Sequence, residues 1–79
     1  MSTLDTIRTL FRQSFDLEDG ADVDDLAYRA IPGWDSVGHM RLIAALETEF
    51  DLMLETDDVL DMSSFAKARE ILGKYGVAV

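Results

Sequence analysis

Leu4, Ile7, Leu10, Phe11 and Phe15 recur at three- and four-residue intervals near the start of the chain. At about 3.6 residues per turn this spacing gathers them on one face and leaves Arg8, Arg12 and Gln13 mostly on the other, which predicts an amphipathic helix over residues 3–15. Ser2, with Asp5 three residues later, resembles a capping box with Asp in place of the usual Glu. From Asp16 to Asp35 the periodicity fails, and Gly20, Pro32 and Gly33 punctuate a stretch that still carries Leu17, Val23, Leu26, Tyr28 and Ile31. So long a loop is unusual in a compact domain. Its apolar residues are expected to tie it to the core, with a short helical turn near residues 23–28, and it is a candidate functional segment.

A second helix is predicted to begin at Ser36 and run to Phe50, because Pro32-Gly33 stops what precedes it and Asp35 is a good N-cap. Met40, Leu42, Ile43, Leu46 and Phe50 share one broad arc of it, and Arg41, Ala45, Thr48 and Glu49 lie on the other side. Thr56 is placed to cap a short helix through Asp61, whose early acidic residues suit the positive end of the helix dipole. Ser63 or Ser64 then opens a last helix with Phe65, Ala68, Ile71, Leu72 and Tyr75 as its apolar stripe and Gly73 and Gly76 near its end. No stretch alternates like a strand over a useful length. The expectation is an all-α four-helix bundle, one domain over residues 1–79, with a long loop between helices 1 and 2 and a short third helix.

Size and composition narrow the function classes. A chain of 79 residues buries roughly 60% of its unfolded surface, which suffices for one small core but leaves little room for a deep catalytic pocket. The absence of cysteine removes disulfides and thiolate metal sites, so nothing depends on an oxidising compartment. No signal-like amino terminus and no membrane-spanning stretch is evident, and a soluble cytoplasmic protein is expected. A formal net charge of −9, from 16 acidic against 7 basic residues, opposes binding to nucleic acid or anionic membranes and favours basic protein partners.

The informative segment is Pro32-Gly33-Trp34-Asp35-Ser36-Val37-Gly38-His39-Met40-Arg41-Leu42. It places a serine hydroxyl at the start of an amphipathic helix, where a bound anion gains roughly 0.3–1 kcal/mol from the helix terminus. Asp35-Ser36-Val37 resembles the Asp-Ser-Leu hallmark at the start of the second helix of the acyl carrier protein family. Leu42-Ile43-Ala44-Ala45-Leu46-Glu47-Thr48-Glu49-Phe50-Asp51 is similar to the family's second helix, and the spacing of the later helices extends the resemblance over essentially the whole chain.

The resemblance implies that Ser36 receives 4'-phosphopantetheine from coenzyme A, and that Asp35 and Val37 are read by the phosphopantetheinyl transferase, Asp35 also capping the helix. It implies a carrier and not an enzyme, whose arm holds an acyl group as a thioester. Its partners would be acyl-loading and acyl-processing enzymes such as a ligase, acyltransferase or ketosynthase. Glu47, Glu49, Asp51, Asp57, Asp58 and Asp61 are the expected docking carboxylates for basic patches on such partners. Val37, Met40, Leu46, Phe50, Leu54, Val59 and Ala68 are either core or the lining of a space for an acyl chain, with core favoured. His39 is either a half-buried helix residue or a contact to the arm or a partner, and Trp34 either a loop anchor or a contact to the arm.

The fatty-acid-synthesis pattern has acidic residues where this chain has Gly38 and Arg41. Together with Trp34 and His39 this resembles discrete carriers of specialised pathways such as polyketide assembly. A peptidyl or aminoacyl carrier of nonribosomal type, a fatty-acid carrier and an unmodified acidic interaction module are the alternatives. The short ends suggest a free-standing carrier and not a module of a megasynthase, and a monomer is expected. A hydrolase fits poorly, since Trp34-Asp35-Ser36-Val37-Gly38 lacks the first glycine and the preceding strand of a nucleophile elbow. An EF-hand with Gly20 at its sixth position would put Phe15, Leu17 and Leu26 at ligand positions, so that motif fails.

Overall fold

The computed structural model describes residues 2–77. Four helices follow in order: α1 Thr3–Ser14, α2 Ser36–Phe50, α3 Thr56–Asp61 and α4 Phe65–Lys74. Three begin at side-chain caps. Ser2 accepts from the Asp5 N–H, Asp35 from the Gly38 N–H and Ser64 from the Lys67 N–H, each satisfying a donor that the first helical turn leaves open. Asp51 ends α2 in the left-handed region at φ 50°, its N–H returning to the Glu47 carbonyl.

The core is a cluster contributed by every helix except α3, together with the loops. Ile7, Leu10, Phe11 and Phe15 come from α1 and its end, Leu42, Ile43 and Leu46 from α2, and Phe65, Ala68, Ile71 and Leu72 from α4. Phe11 is its aromatic hub, meeting Phe15, Trp34 and Phe65 edge-on at centroid distances of 5.7, 5.5 and 4.9 Å. Each such ring contributes about 1.5–3 kcal/mol by burial, and the edge-on geometry adds to it.

The long loop is tied down by groups the helical pattern had left on the polar side of α1. Arg8 grips Asp24 with two hydrogen bonds of 2.9 and 2.8 Å, and Arg12 Nε donates to the Ala21 carbonyl at 2.7 Å. Val23 is fully buried.

Three sequence expectations are corrected here. Residues 23–28 form no helix: one Leu26-to-Val23 hydrogen bond makes a turn, and Ala27 then pairs with Ser64 in an isolated antiparallel bridge. Thr56 is the first residue of α3 and not its cap; Glu55 precedes the helix without a side-chain cap. Met40 does not join the core but stands 58% exposed beside Ser36, because it sits at the solvent edge of the apolar arc.

Candidate functional site

The turn that delivers Ser36 is fixed from both sides. Trp34 is fully buried, stacked against Phe15 with ring centroids 4.9 Å apart, so the residue two before the serine is anchored in the core. Asp35 caps α2 through a 2.8 Å bond from the Gly38 N–H. Gly38 is required for a different reason: a Cβ there would run into the Gly33 carbonyl oxygen, and a Cβ on Gly33 would stand 2.7 Å from the Phe15 carbonyl. Two side-chain-free positions thus let the Pro32-Gly33 turn lie directly on α2 and on the end of α1.

Ser36 itself is exposed. Its Oγ lies 3.2 Å from the Tyr28 phenol oxygen. Tyr28 reaches it from the loop because the chain there is fastened to the start of α4: the Tyr28 N–H donates to the Ser63 carbonyl at 2.8 Å, and the Phe65 N–H to the Leu26 carbonyl at 2.9 Å. Its ring stands edge-on to both Trp34 and His39. Arg29 follows in the left-handed region, φ 67°, with its N–H bonded to the Trp34 carbonyl at 3.0 Å and its guanidinium 5.7 Å from the Tyr28 ring centre. Hydrogen bonding to Ser36, and secondarily to Arg29, holds the Tyr28 phenol below the ordinary tyrosine range.

His39 is stitched between loop and helix. The Trp34 indole N–H donates to its Nδ1 at 3.1 Å, and its Nε2 lies 2.7 Å from the Val59 carbonyl on α3. An indole donor at Nδ1 fixes the neutral tautomer with its proton on Nε2, donating to Val59. Both nitrogens are therefore occupied away from Ser36, and the ring does not serve that hydroxyl as a general base.

Beside Ser36 an open groove of about 340 Å³ runs between the loop, α2 and α3, walled by Tyr28, His39, Met40, Val59, Leu60 and Met62. Around it Val37, Met40 and Leu60 are 65, 58 and 75% exposed, a cluster of large apolar side chains that water-facing positions rarely gather. Of the residues considered for an acyl lining, Met40 and Val59 border this groove, whereas Leu46, Leu54 and Ala68 are buried in the core and Phe50 packs against it.

The six candidate docking carboxylates divide. Asp58 is only 8% exposed and is taken by Lys74 Nζ and the Tyr75 hydroxyl, each at 2.6 Å. Glu47 is half-buried and accepts from the Leu54 N–H at 2.9 Å. Glu49, Asp51, Asp57 and Asp61 are exposed. At 100° per residue Glu49 lies about 140° around α2 from Ser36. The exposed face of α2 on the serine's side holds Val37, Met40, Ala44 and Thr48, and Arg41 lies as far around the helix as Glu49, on the opposite flank.

Tyr28 is the site residue that sequence reasoning missed. It was legible only as one apolar member of an irregular loop, and without periodicity nothing marked its hydroxyl as facing Ser36.

A loop-anchored helix start presenting an exposed serine, in a small bundle of three longer helices and one short one, is the acyl-carrier-protein-like fold, and a solved structure bears this out. The chain is similar to the solution NMR structure of the holo acyl carrier protein from Geobacter metallireducens, with 27% sequence identity and a TM-score of 0.77 over 94% of this chain and 85% of that one. No family model and no curated protein matches the sequence.

Proposed function

We propose that this chain is a carrier protein whose Ser36 takes a 4'-phosphopantetheine group from coenzyme A and presents acyl intermediates to partner enzymes. The observation that carries this reading is an exposed serine hydroxyl at the first residue of α2, next to an open, largely apolar groove, in a fold similar to that of a holo acyl carrier protein. The residues fit the group: Ser36 Oγ is unobstructed for attachment, and the Tyr28 phenol stands within hydrogen-bonding distance of it. When bound, the arm supplies a terminal thiol for thioester chemistry, a nucleophile that the cysteine-free chain lacks.

In the transfer the Ser36 oxygen forms a bond to the β-phosphorus of coenzyme A as the bond to the 3',5'-ADP moiety breaks, and the serine proton passes to a base of the transferase. Asp35 and Val37 flank the hydroxyl and are the residues the transferase would read. The carrier adds no catalytic group; it raises the local concentration of the tethered cargo at a docked enzyme.

Docking through Glu49, Asp51, Asp57 and Asp61 remains the electrostatic component of the reading. Asp58 and Glu47 contribute to it only by giving up partners inside the chain. Gly38 and Arg41, standing where the fatty-acid-synthesis pattern has acidic residues, support a carrier of polyketide or other specialised biosynthesis over a fatty-acid carrier. Efficient malonyl loading by a fatty-acid-pathway transferase, followed by chain elongation, would contradict that assignment.

Intact mass before and after incubation with a broad-specificity phosphopantetheinyl transferase, magnesium and coenzyme A tests the proposal. One added phosphopantetheinyl unit is expected, and none on Ser36→Ala. An unchanged mass on folded protein would make the chain an unmodified acidic interaction module.

A further inference from the structure

The phosphodiester that this reading installs at Ser36 meets an unfavourable field. The chain carries a net −9 charge, and the carboxylate nearest in sequence, Asp35, already occupies the Gly38 N–H at the helix start. An anion there gains less from the helix terminus than one facing free N–H groups. Something else must hold it if the arm is to leave Ser36 in a defined direction.

Two side chains of the loop are placed to do so. The Tyr28 phenol, 3.2 Å from Ser36 Oγ, is held by the Tyr28 backbone bond to Ser63 and by its edge contacts with Trp34 and His39. Its hydroxyl lies within hydrogen-bonding distance of the atom that would carry the phosphate. Arg29 stands over the same ring and forms no ion pair among the described residues, so its charge is not neutralised by a carboxylate of the chain. Its left-handed backbone is a strained conformation for a residue with a side chain, of the kind that persists where surrounding structure dictates it.

We propose that Tyr28 and Arg29 form an anchoring subsite for the phosphodiester of a Ser36-linked phosphopantetheine, the phenol donating a hydrogen bond and the guanidinium supplying the counter-charge. The anchored phosphate then starts the arm along the groove between Met40 and Leu60, and Tyr28 acts as a positioning residue. This rests on the carrier reading and adds to it a direction for the arm.

The subsite has a signature in the phenol. In the unmodified chain Ser36 can donate to the phenolate, which agrees with a phenol held below its ordinary range. Once Ser36 is esterified that donor is gone, and an adjacent anion favours the protonated phenol. The groups facing the phenol are Ser36, Arg29, Asp35 and the neutral His39 ring, and of these only Ser36 changes chemically on loading.

The test uses the loaded chain. Mass spectrometry first establishes the phosphopantetheinyl unit on the wild type, Tyr28→Phe and Arg29→Gln. Phosphorus NMR should then show a shifted resonance in both variants relative to the wild type. In the loaded wild type, ring-carbon NMR of labelled tyrosine should place the Tyr28 titration above the ordinary value of 10.0. Tyr28→Phe keeps the ring packing, and the titration on the wild type needs no variant. A wild type that takes up no phosphopantetheine overturns the carrier reading and this subsite with it. Uptake with the same phosphorus resonance in all three proteins, or a Tyr28 titration at or below the ordinary value, overturns the subsite alone.

Discussion

Gly38 lies where the backbone of α2 passes so close to the Pro32-Gly33 turn that no side chain fits. In the sequence this glycine is visible only as a departure from an acidic family position; its reason is steric, and it depends on a contact between two segments that no local pattern reveals. Gly38→Ala should push the turn off the helix and cost about 1–3 kcal/mol, the usual penalty for overpacking a close contact. Urea denaturation measures this. A midpoint equal to that of the wild type would mean that the turn moves aside freely and that the approach does not hold Ser36 in place. His39 shows the complementary case, a side chain whose two nitrogens join Trp34 of the loop to Val59 of α3. Sequence reasoning offered a half-buried helix residue or a contact to the arm or a partner; the structure shows the ring half-buried with both nitrogens bonded, and it also walls the groove beside Ser36.

Among the elements, α3 is the one that local sequence does not sustain. It has six residues and no side-chain cap, far short of the length at which an isolated helix forms in water. Asp58 fastens it to the end of α4 by accepting from Lys74 and Tyr75, whose hydroxyl also receives the Glu55 N–H. Hydrogen bonds from Lys74 and then Tyr75 hold the Asp58 carboxyl below its ordinary value of 3.8. A carboxyl depressed in the folded state adds stability above its unfolded pKa and loses it as pH falls through the folded one. Asp58→Asn should therefore lower the melting temperature at neutral pH and flatten the loss of stability below about pH 4. Parallel acid limbs for variant and wild type would remove Asp58 from that role.

Asp35 and Ser64 mark the starts of α2 and α4 because a cap is a local interaction between residues three apart. Tyr28 meeting Ser36, and Asp58 turned inward from an acid-rich turn, depend on how loop and helices dock, and no periodicity encodes that. The boundaries of α1, α2 and α4 were readable for the same reason that the loop was not: an apolar stripe repeats along a helix, whereas Arg8 gripping Asp24 and Ala27 pairing with Ser64 each occur once.

At the scale of the molecule, the serine opens onto a largely apolar groove in a strongly acidic chain. Ser36 emerges beside Met40 and Leu60, which are 58 and 75% exposed, and many exposed carboxylates lie in the long loop and around α3. In the proposed reading, long-range attraction would draw a basic partner to the exposed carboxylates, and apolar contact around the serine would seat it. Among the described residues no helix is long and apolar enough to cross a membrane. The absence of cysteine makes the central claim directly countable, because the chain has no thiol of its own. Thiol titration of the unfolded protein, after incubation with a phosphopantetheinyl transferase and coenzyme A and removal of free coenzyme, should give one thiol per chain, with none before treatment of unmodified protein and none on Ser36→Ala. Zero thiols on the treated wild type, or one on the Ser36 variant, would contradict a carrier whose arm is attached at that residue.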